Sequence, residues 1–225
     1  APTPLQRDAV PVLRRGNNGV LHAASGAGVT GAWGLALLDR AASLEDDDAP
    51  LALVLAPSTD EASRTATTLA RLGAPAGITV RALAAGWPDR RARILVATPA
   101  AALGAVRDSR LKLDAVLILV VAGADRMLAL GGWDDVLTLT ESATSIGQKV
   151  VVTGAIERPI EEYVEARVRK AMNIPARPAD EEARETAGSV AYAVTGEGGK
   201  VDALVALLDG IEGAVVAIVT RSADR

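Results

Sequence analysis

The chain has 225 residues, 49% of them hydrophobic, a formal net charge of −4, a single His (His22) and no Cys. These numbers exclude a disulfide framework, a thiolate metal centre and a His-based zinc or triad site, and they provide no global basic field to hold a polyanion. No apolar run approaches the ~20 residues that cross a bilayer, so the expectation is a cytoplasmic protein without membrane contact, of one large domain or one domain and part of another.

In chain order, short apolar runs alternate with longer segments of helical period. The stretch "AASGAGVTGAW" follows the first run, "GVLHA" at 19–23, and its Gly26 and Gly28 sit where a strand turns into a helix. "LALVLA" (51–56), "ITVRAL" (78–83), "RILVAT" (93–98), "AVLILVV" (115–121) and "KVVVTG" (149–154) follow. Their near-continuous apolarity is that of strands buried on both faces. Between them "DEASRTATTLARLG" aligns Ala62, Ala66, Leu69 and Ala70 on one helical face and stops at Gly73. "ERPIEEYVEARVRKAM" aligns Ile160, Val164 and Val168, with Pro159 near its start. Strands alternating with helices predict an α/β fold with a mainly parallel sheet and helices on both faces. At 173–188 two prolines, an acidic run and a closing Gly read as a linker. The expected division is a first domain over 1–172, that linker, and an incomplete second domain over 189–225, too short to bury a core alone.

The order of these segments resembles the DEAD-box RNA helicase family. "PTPLQRDAVPVLRRG" is similar to its adenine-reading Q motif, with Gln6 at the glutamine position, and "ASGAGVT" falls at motif I. "LVLAPSTDEA" resembles motif Ia, "ILVATPAAAL" motif Ib and "LILVVAGADRML" motif II, V-L-D-E-A-D-R-M-L in the family. "VVVTGAI" falls at motif III and "AVVAIVTRSADR" at motif IV, the opening of a second RecA-like domain. The resemblance implies a RecA-like, P-loop-type fold. It also implies adenine-nucleotide contacts at Gln6, Gly26, Ala27, Gly28 and Thr30, ATP or ADP with Mg²⁺ as a weakly held cofactor, and RNA contacts at Pro57, Thr98 and Pro99.

The departures bear on activity. Val29 replaces the motif I Lys that reaches the β- and γ-phosphates. Ala122 replaces the motif II Asp that organises Mg²⁺, and Gly123 the Glu that activates the attacking water. Motifs Ia and Ib carry Thr59 and Ala101 where the family has Arg, and Ala155 stands for the motif III Thr. Phosphoryl transfer depends on positioning and on neutralising charge, so no residue is assigned a catalytic or metal-binding role. The expectation is a degenerate, non-hydrolysing pseudoenzyme that binds or scaffolds RNA, a ribonucleoprotein or a protein partner. The alternatives are a divergent ATP-dependent RNA helicase and a non-hydrolysing adenine-nucleotide sensor.

Local readings accompany these. The motif I glycines serve a strand-to-helix turn as well as phosphate binding, and Gln6 reads an adenine edge or merely bonds the loop. Asp125 and Arg126 form a helix-start ion pair or an interdomain contact, "DRRAR" at 89–93 is a solvated basic turn or an RNA contact, and Thr98 and Pro99 open a helix by capping it or by holding an RNA phosphate. "EDDDAP" at 45–50 is a solvated loop, His22 is a hydrogen-bonded strand end, and Trp33 packs in the core. Trp33, Trp87 and Trp133 lack the spacing of a base-stacking platform.

Overall fold

The computed structural model describes residues 1–23, 28–44, 50–83, 92–143 and 146–175, all within the first of two units into which the chain divides, Ala1–Ala183. Gly26, Ala27, Gly86, Trp87, Arg90 and Arg91 lie outside the described residues. So do the acidic run at 45–49, the linker beyond 175 and the expected second domain with its motif IV.

Seven strands form one all-parallel sheet in the order β3-β4-β2-β5-β6-β1-β7. They are β1 (Gly19–His22), β2 (Ala52–Leu55), β3 (Val80–Ala82), β4 (Ile94–Ala97), β5 (Ile118–Ala122), β6 (Gln148–Thr153) and β7 (Met172–Ile174). The helices are α1 (Pro4–Arg14), α2 (Val29–Ser43), α3 (Thr59–Gly73), α4 (Pro99–Arg107), α5 (Ala124–Ala129), α6 (Trp133–Ser142) and α7 (Arg158–Arg167). Because successive strand residues point to opposite faces, the sheet divides two apolar clusters. Leu21, Val54, Val96, Val120 and Val152 face Leu13, Trp33 and Leu69 on α1, α2 and α3. Val20, Leu53, Leu55, Leu119 and Val151 face Leu103, Met127, Leu139 and Ile160 on α4 to α7. Helices thus cover both faces, as the apolar runs predict.

Ala62, Ala66 and Leu69 are buried as the periodicity of α3 requires, and Trp33 is in the core. Two expectations are corrected. The last helix stops at Arg167, short of Met172: Val168 ends it, Lys170 takes a left-handed φ of 52°, and the chain enters β7. Asn173 and Ile174, read as the start of a linker, belong to the sheet and pair with β1. A three-residue edge strand offers too little pattern to be told from a loop.

A cleft built on the motif I, II and III positions

In a parallel sheet the loops leaving the carboxyl ends of the strands line the binding crevice. Here the chain leaving β1, β2, β5 and β6 surrounds a cleft of about 750 Å³ that includes Gln6, Gly28, Val29, Thr30, Gly31, Glu61, Thr65, Ala122, Gly123, Asp125, Arg126, Thr153, Gly154 and Ala155. Positions 100 residues apart in sequence meet in it because β1, β6 and β5 are neighbours.

The amino terminus of α2 opens at Gly28 with φ 73° and no side-chain cap, and its first-turn residues Val29, Thr30 and Gly31 line the cleft. Gln6 reaches this turn from α1. Its Oε1 accepts from Thr3 N (3.0 Å) and its Nε2 donates to Gly28 O (3.2 Å), while Thr3 Oγ1 accepts from Gln6 N in a reciprocal capping box. A Cβ on Gly28 would stand 2.9 Å from Gln6 Nε2, and one on Gly31 2.7 Å. Both glycines make room for that amide. Val29 is half-buried and, with Ala122, packs against the apolar cluster under α2.

On the opposite wall Gly123 has φ 92°, and a Cβ there would lie 2.8 Å from Arg126 Nη2 and 3.0 Å from Pro57 Cγ. Gly123, where the resemblance puts a water-activating Glu, is a left-handed glycine with a guanidinium folded over it. Arg126 does not pair with Asp125, as expected, but with Glu61 on α3, at 2.6 Å from Nη1 to Oε1. Sixty-five residues of separation hide such a partner from the sequence; only the fold brings α3 beside α5. Asp125 instead lies against Gly154, where a Cβ would stand 3.0 Å from its Oδ2. Thr153 is buried and its hydroxyl donates to Ala155 O at 2.5 Å.

Mg²⁺ is the metal that the family implies, and these residues do not fit it. Glu61 is committed to Arg126 and Thr153 to a carbonyl, Ala122 and Gly123 carry no donor, and no three acidic or His side chains converge among the described residues. Mg²⁺ binds through one or two carboxylates together with substrate phosphates and water, and of the two described carboxylates in the cleft Glu61 is paired with Arg126 and Asp125 lies against Gly154.

The remaining expected residues fall elsewhere. Pro57, Thr98 and Pro99 stand at the openings of α3 and α4, outside the cleft lining. Thr98 Oγ1 accepts from Ala101 N (3.2 Å) as an N-cap, and Pro99 is buried at N1. His22 ends β1 with its Nε2 3.4 Å from Asn173 Oδ1. Arg93 is not in a solvated turn: it is 7% exposed and its Nη2 donates to Leu44 O at 2.9 Å. Trp133 is buried edge-on to Tyr163, with ring centroids 5.4 Å apart.

The description of the DEAD/DEAH box helicase domain matches residues 3–163, which takes in every wall of the cleft. The chain belongs to the DEAD-box helicase family. The RNA helicase CrhR of Synechocystis sp. is 27% identical over 172 residues, 73% of this chain and 34% of that protein. The probable ATP-dependent RNA helicase DDX59 of Homo sapiens is 31% identical over 171 residues, 72% of this chain and 27% of that one. This chain thus spans about a third of these curated relatives. Among solved structures, a DEAD box protein from Methanococcus jannaschii superposes with TM-score 0.72 at 20% identity, covering 93% of this chain and 57% of that one. The RNA helicase Prp28 from Chaetomium thermophilum bound to ADP gives 0.69 at 25% identity, covering 76% and 44%. The fold is the RecA-like fold of these helicases. No helix among the described residues is long and apolar enough to cross a membrane.

Proposed function

We propose that this DEAD-box family domain does not hydrolyse ATP and works as a binding or scaffolding module for RNA or a ribonucleoprotein partner. One observation carries the reading: the three positions from which the family's Lys, Asp and Glu would act are Val29, Ala122 and Gly123, and all three line one cleft. Without them the cleft lacks the family's phosphate-binding lysine, metal-organising carboxylate and water-activating carboxylate, and each such group contributes orders of magnitude in rate. The RNA helicase names of its relatives support RNA as the partner class, with Pro57, Thr98 and Pro99 as the contacts the resemblance assigns.

A second reading, a non-hydrolysing adenine-nucleotide sensor, is favoured by a separate observation. Gln6 is held in place by Thr3 and Gly28 beside an uncapped helix N-terminus, the arrangement a nucleotide with its phosphates at α2 would meet. The ADP-bound Prp28 structure shows that a relative of this fold takes such a ligand. The test is ATP turnover by the 225-residue chain with Mg²⁺, with and without RNA, beside its melting temperature with ADP. The expected result is no turnover above background. RNA-stimulated turnover that survives repurification overturns the first reading. A melting temperature unmoved by saturating ADP overturns the second, since a ligand of the native state must raise it.

A further inference from the structure

A cleft that has lost its lysine still contains one well-placed cation. Arg126 folds over Gly123 so that its Nη2 and Nε lie 2.8 and 3.3 Å from where a Cβ would be, while Nη1 pairs with Glu61. The Nε–Nη2 edge is the one that grips an oxyanion with two parallel N–H bonds, and no ion pair among the described residues uses it. The same two side chains line an adjoining pocket of about 260 Å³ with Thr30, Arg64, Thr65 and Thr68. Among the described residues Arg64 is exposed and makes no ion pair, and the Thr30 and Thr65 hydroxyls make no hydrogen bond. Thr68 is the exception, its hydroxyl donating to Arg64 O at 2.9 Å.

We propose that the corner between α2 and α3 is a Mg²⁺-independent phosphate site, with Arg126 as its principal cation and Glu61 as the internal competitor that restrains occupancy. The proposal rests on the nucleotide-sensor reading of the cleft and names how the phosphates of that nucleotide are held. Two guanidinium groups and the Thr30 and Thr65 hydroxyls line this corner, and Arg126 reaches it over Gly123, which carries no side chain. The carboxylate most opposed to an anion there, Glu61, is the one already neutralised by Arg126, while Asp125 is turned to Gly154. Entry of a phosphate then requires Arg126 only to shift from one oxyanion to two, with no metal.

The experiment is calorimetric titration of the 225-residue chain in EDTA with ADP, adenosine and inorganic phosphate. It compares the parent with Glu61→Gln, Arg126→Gln and Arg126→Lys, each checked for an unchanged circular dichroism spectrum. ADP binds without Mg²⁺, Glu61→Gln tightens it about tenfold by removing a like charge, and Arg126→Gln weakens it about tenfold or more. Arg126→Lys, which keeps the charge and loses the fork, falls between, and it decides the matter with Glu61→Gln if Arg126→Gln does not fold. Adenosine is insensitive to all three. Inorganic phosphate follows the order of ADP if the corner takes a free anion, and is silent if the nucleoside must anchor it; either result supports the site. ADP affinity unchanged by Glu61→Gln and Arg126→Lys overturns the proposal while leaving nucleotide binding intact. Absence of ADP binding to parent and Glu61→Gln alike overturns it together with the sensor reading.

Discussion

Gly123 shows how a single residue shapes the chemistry of this cleft. Its φ of 92° is open to glycine and strained for any L side chain, and the space a Cβ would take is filled by Arg126 and the Pro57 ring. Returning the family's carboxylate is therefore a structural change as well as a chemical one. Gly123→Ala is expected to lower stability by about 1–2 kcal/mol, read as a urea midpoint. Gly123→Glu, even combined with Val29→Lys and Ala122→Asp, is expected to leave ATP turnover at background because the new carboxylate displaces or pairs with Arg126. Turnover at a working helicase's rate from the triple variant would show that the corner rearranges freely. Val29 illustrates the converse: beside Ala122 it merges with the apolar cluster under α2, so that losing the charge adds packing. The Arg126–Glu61 pair is itself worth little, about 0–1 kcal/mol, because Arg126 is half exposed.

At the scale of elements, α3 does two jobs with one period. Ala62, Ala66 and Leu69 bury one face, and Glu61, Arg64, Thr65 and Thr68, at the i, i+3, i+4, i+7 spacing of a helix stripe, present another to the phosphate corner. That polar stripe was the sequence signal for the residues that motif matching misses. The packed face depends on close approach: a Cβ on Gly34 of α2 would stand 2.7 Å from Leu69 Cδ2. Leu69→Ala is expected to cost about 2–5 kcal/mol as a cavity-forming change in a fully buried site. Gly34→Ala in the same chain should recover part of that loss, since the added methyl enters the space Leu69 vacates. A double-mutant cycle in urea that comes out additive would mean α2 and α3 are not coupled through this contact. The α6–α7 pair makes a different prediction. Tyr163 on α7 is buried, shares a 3.0 Å hydrogen bond with Thr140 on α6, and its phenol is raised above its ordinary 10.0, burial being the largest cause. The folded state holds that proton where the unfolded state has released it, so stability falls as pH rises above about 10. Lys149, half-buried with its Nζ donating to Ile146 O at 3.3 Å, is lowered by burial and by Arg167, which gives the opposite slope. Urea midpoints between about pH 9 and 11.5 should therefore decline in the parent and flatten in Tyr163→Phe. An equal decline in both would assign it to another group.

At the scale of the whole molecule, electrostatics set what the domain can bind. The net charge is −4, Arg93 is buried against Leu44 O, and Thr59 and Ala101 stand where the resemblance puts the arginines of motifs Ia and Ib, so we expect few cations at the RNA positions that the resemblance assigns. Each phosphate neutralised on a single strand contributes a slope of about −0.7 to log affinity against log salt. We expect binding of a short single-stranded RNA to be weak, with a slope of about −1 to −2, measured by fluorescence titration at several salt concentrations. A steeper slope with tight binding would point to an RNA clamp rather than a scaffold with few phosphate contacts.

The fold was legible because its signals are local and redundant. Six apolar runs of strand length, spaced by amphipathic helices, leave few alternatives to a parallel α/β sheet, and Gln6, the Gly28 turn and the motif II remnant Ala124-Asp125 could be placed in order along it. The departures from the motifs were equally plain, since Val29, Ala122 and Gly123 carry no ionisable group whatever the fold does with them. What the sequence could not carry was anything set by distance between elements. The partner of Arg126 is Glu61, 65 residues away, rather than its neighbour Asp125. Arg93 looks like part of a solvated basic turn until the path of α2 and Leu44 buries it. The β7 strand exists only because β1 offers an edge to pair with. Side-chain identity and period are written in one dimension, whereas pairing, burial and the aim of a guanidinium depend on which surfaces the parallel sheet brings together, and those only the tertiary structure decided.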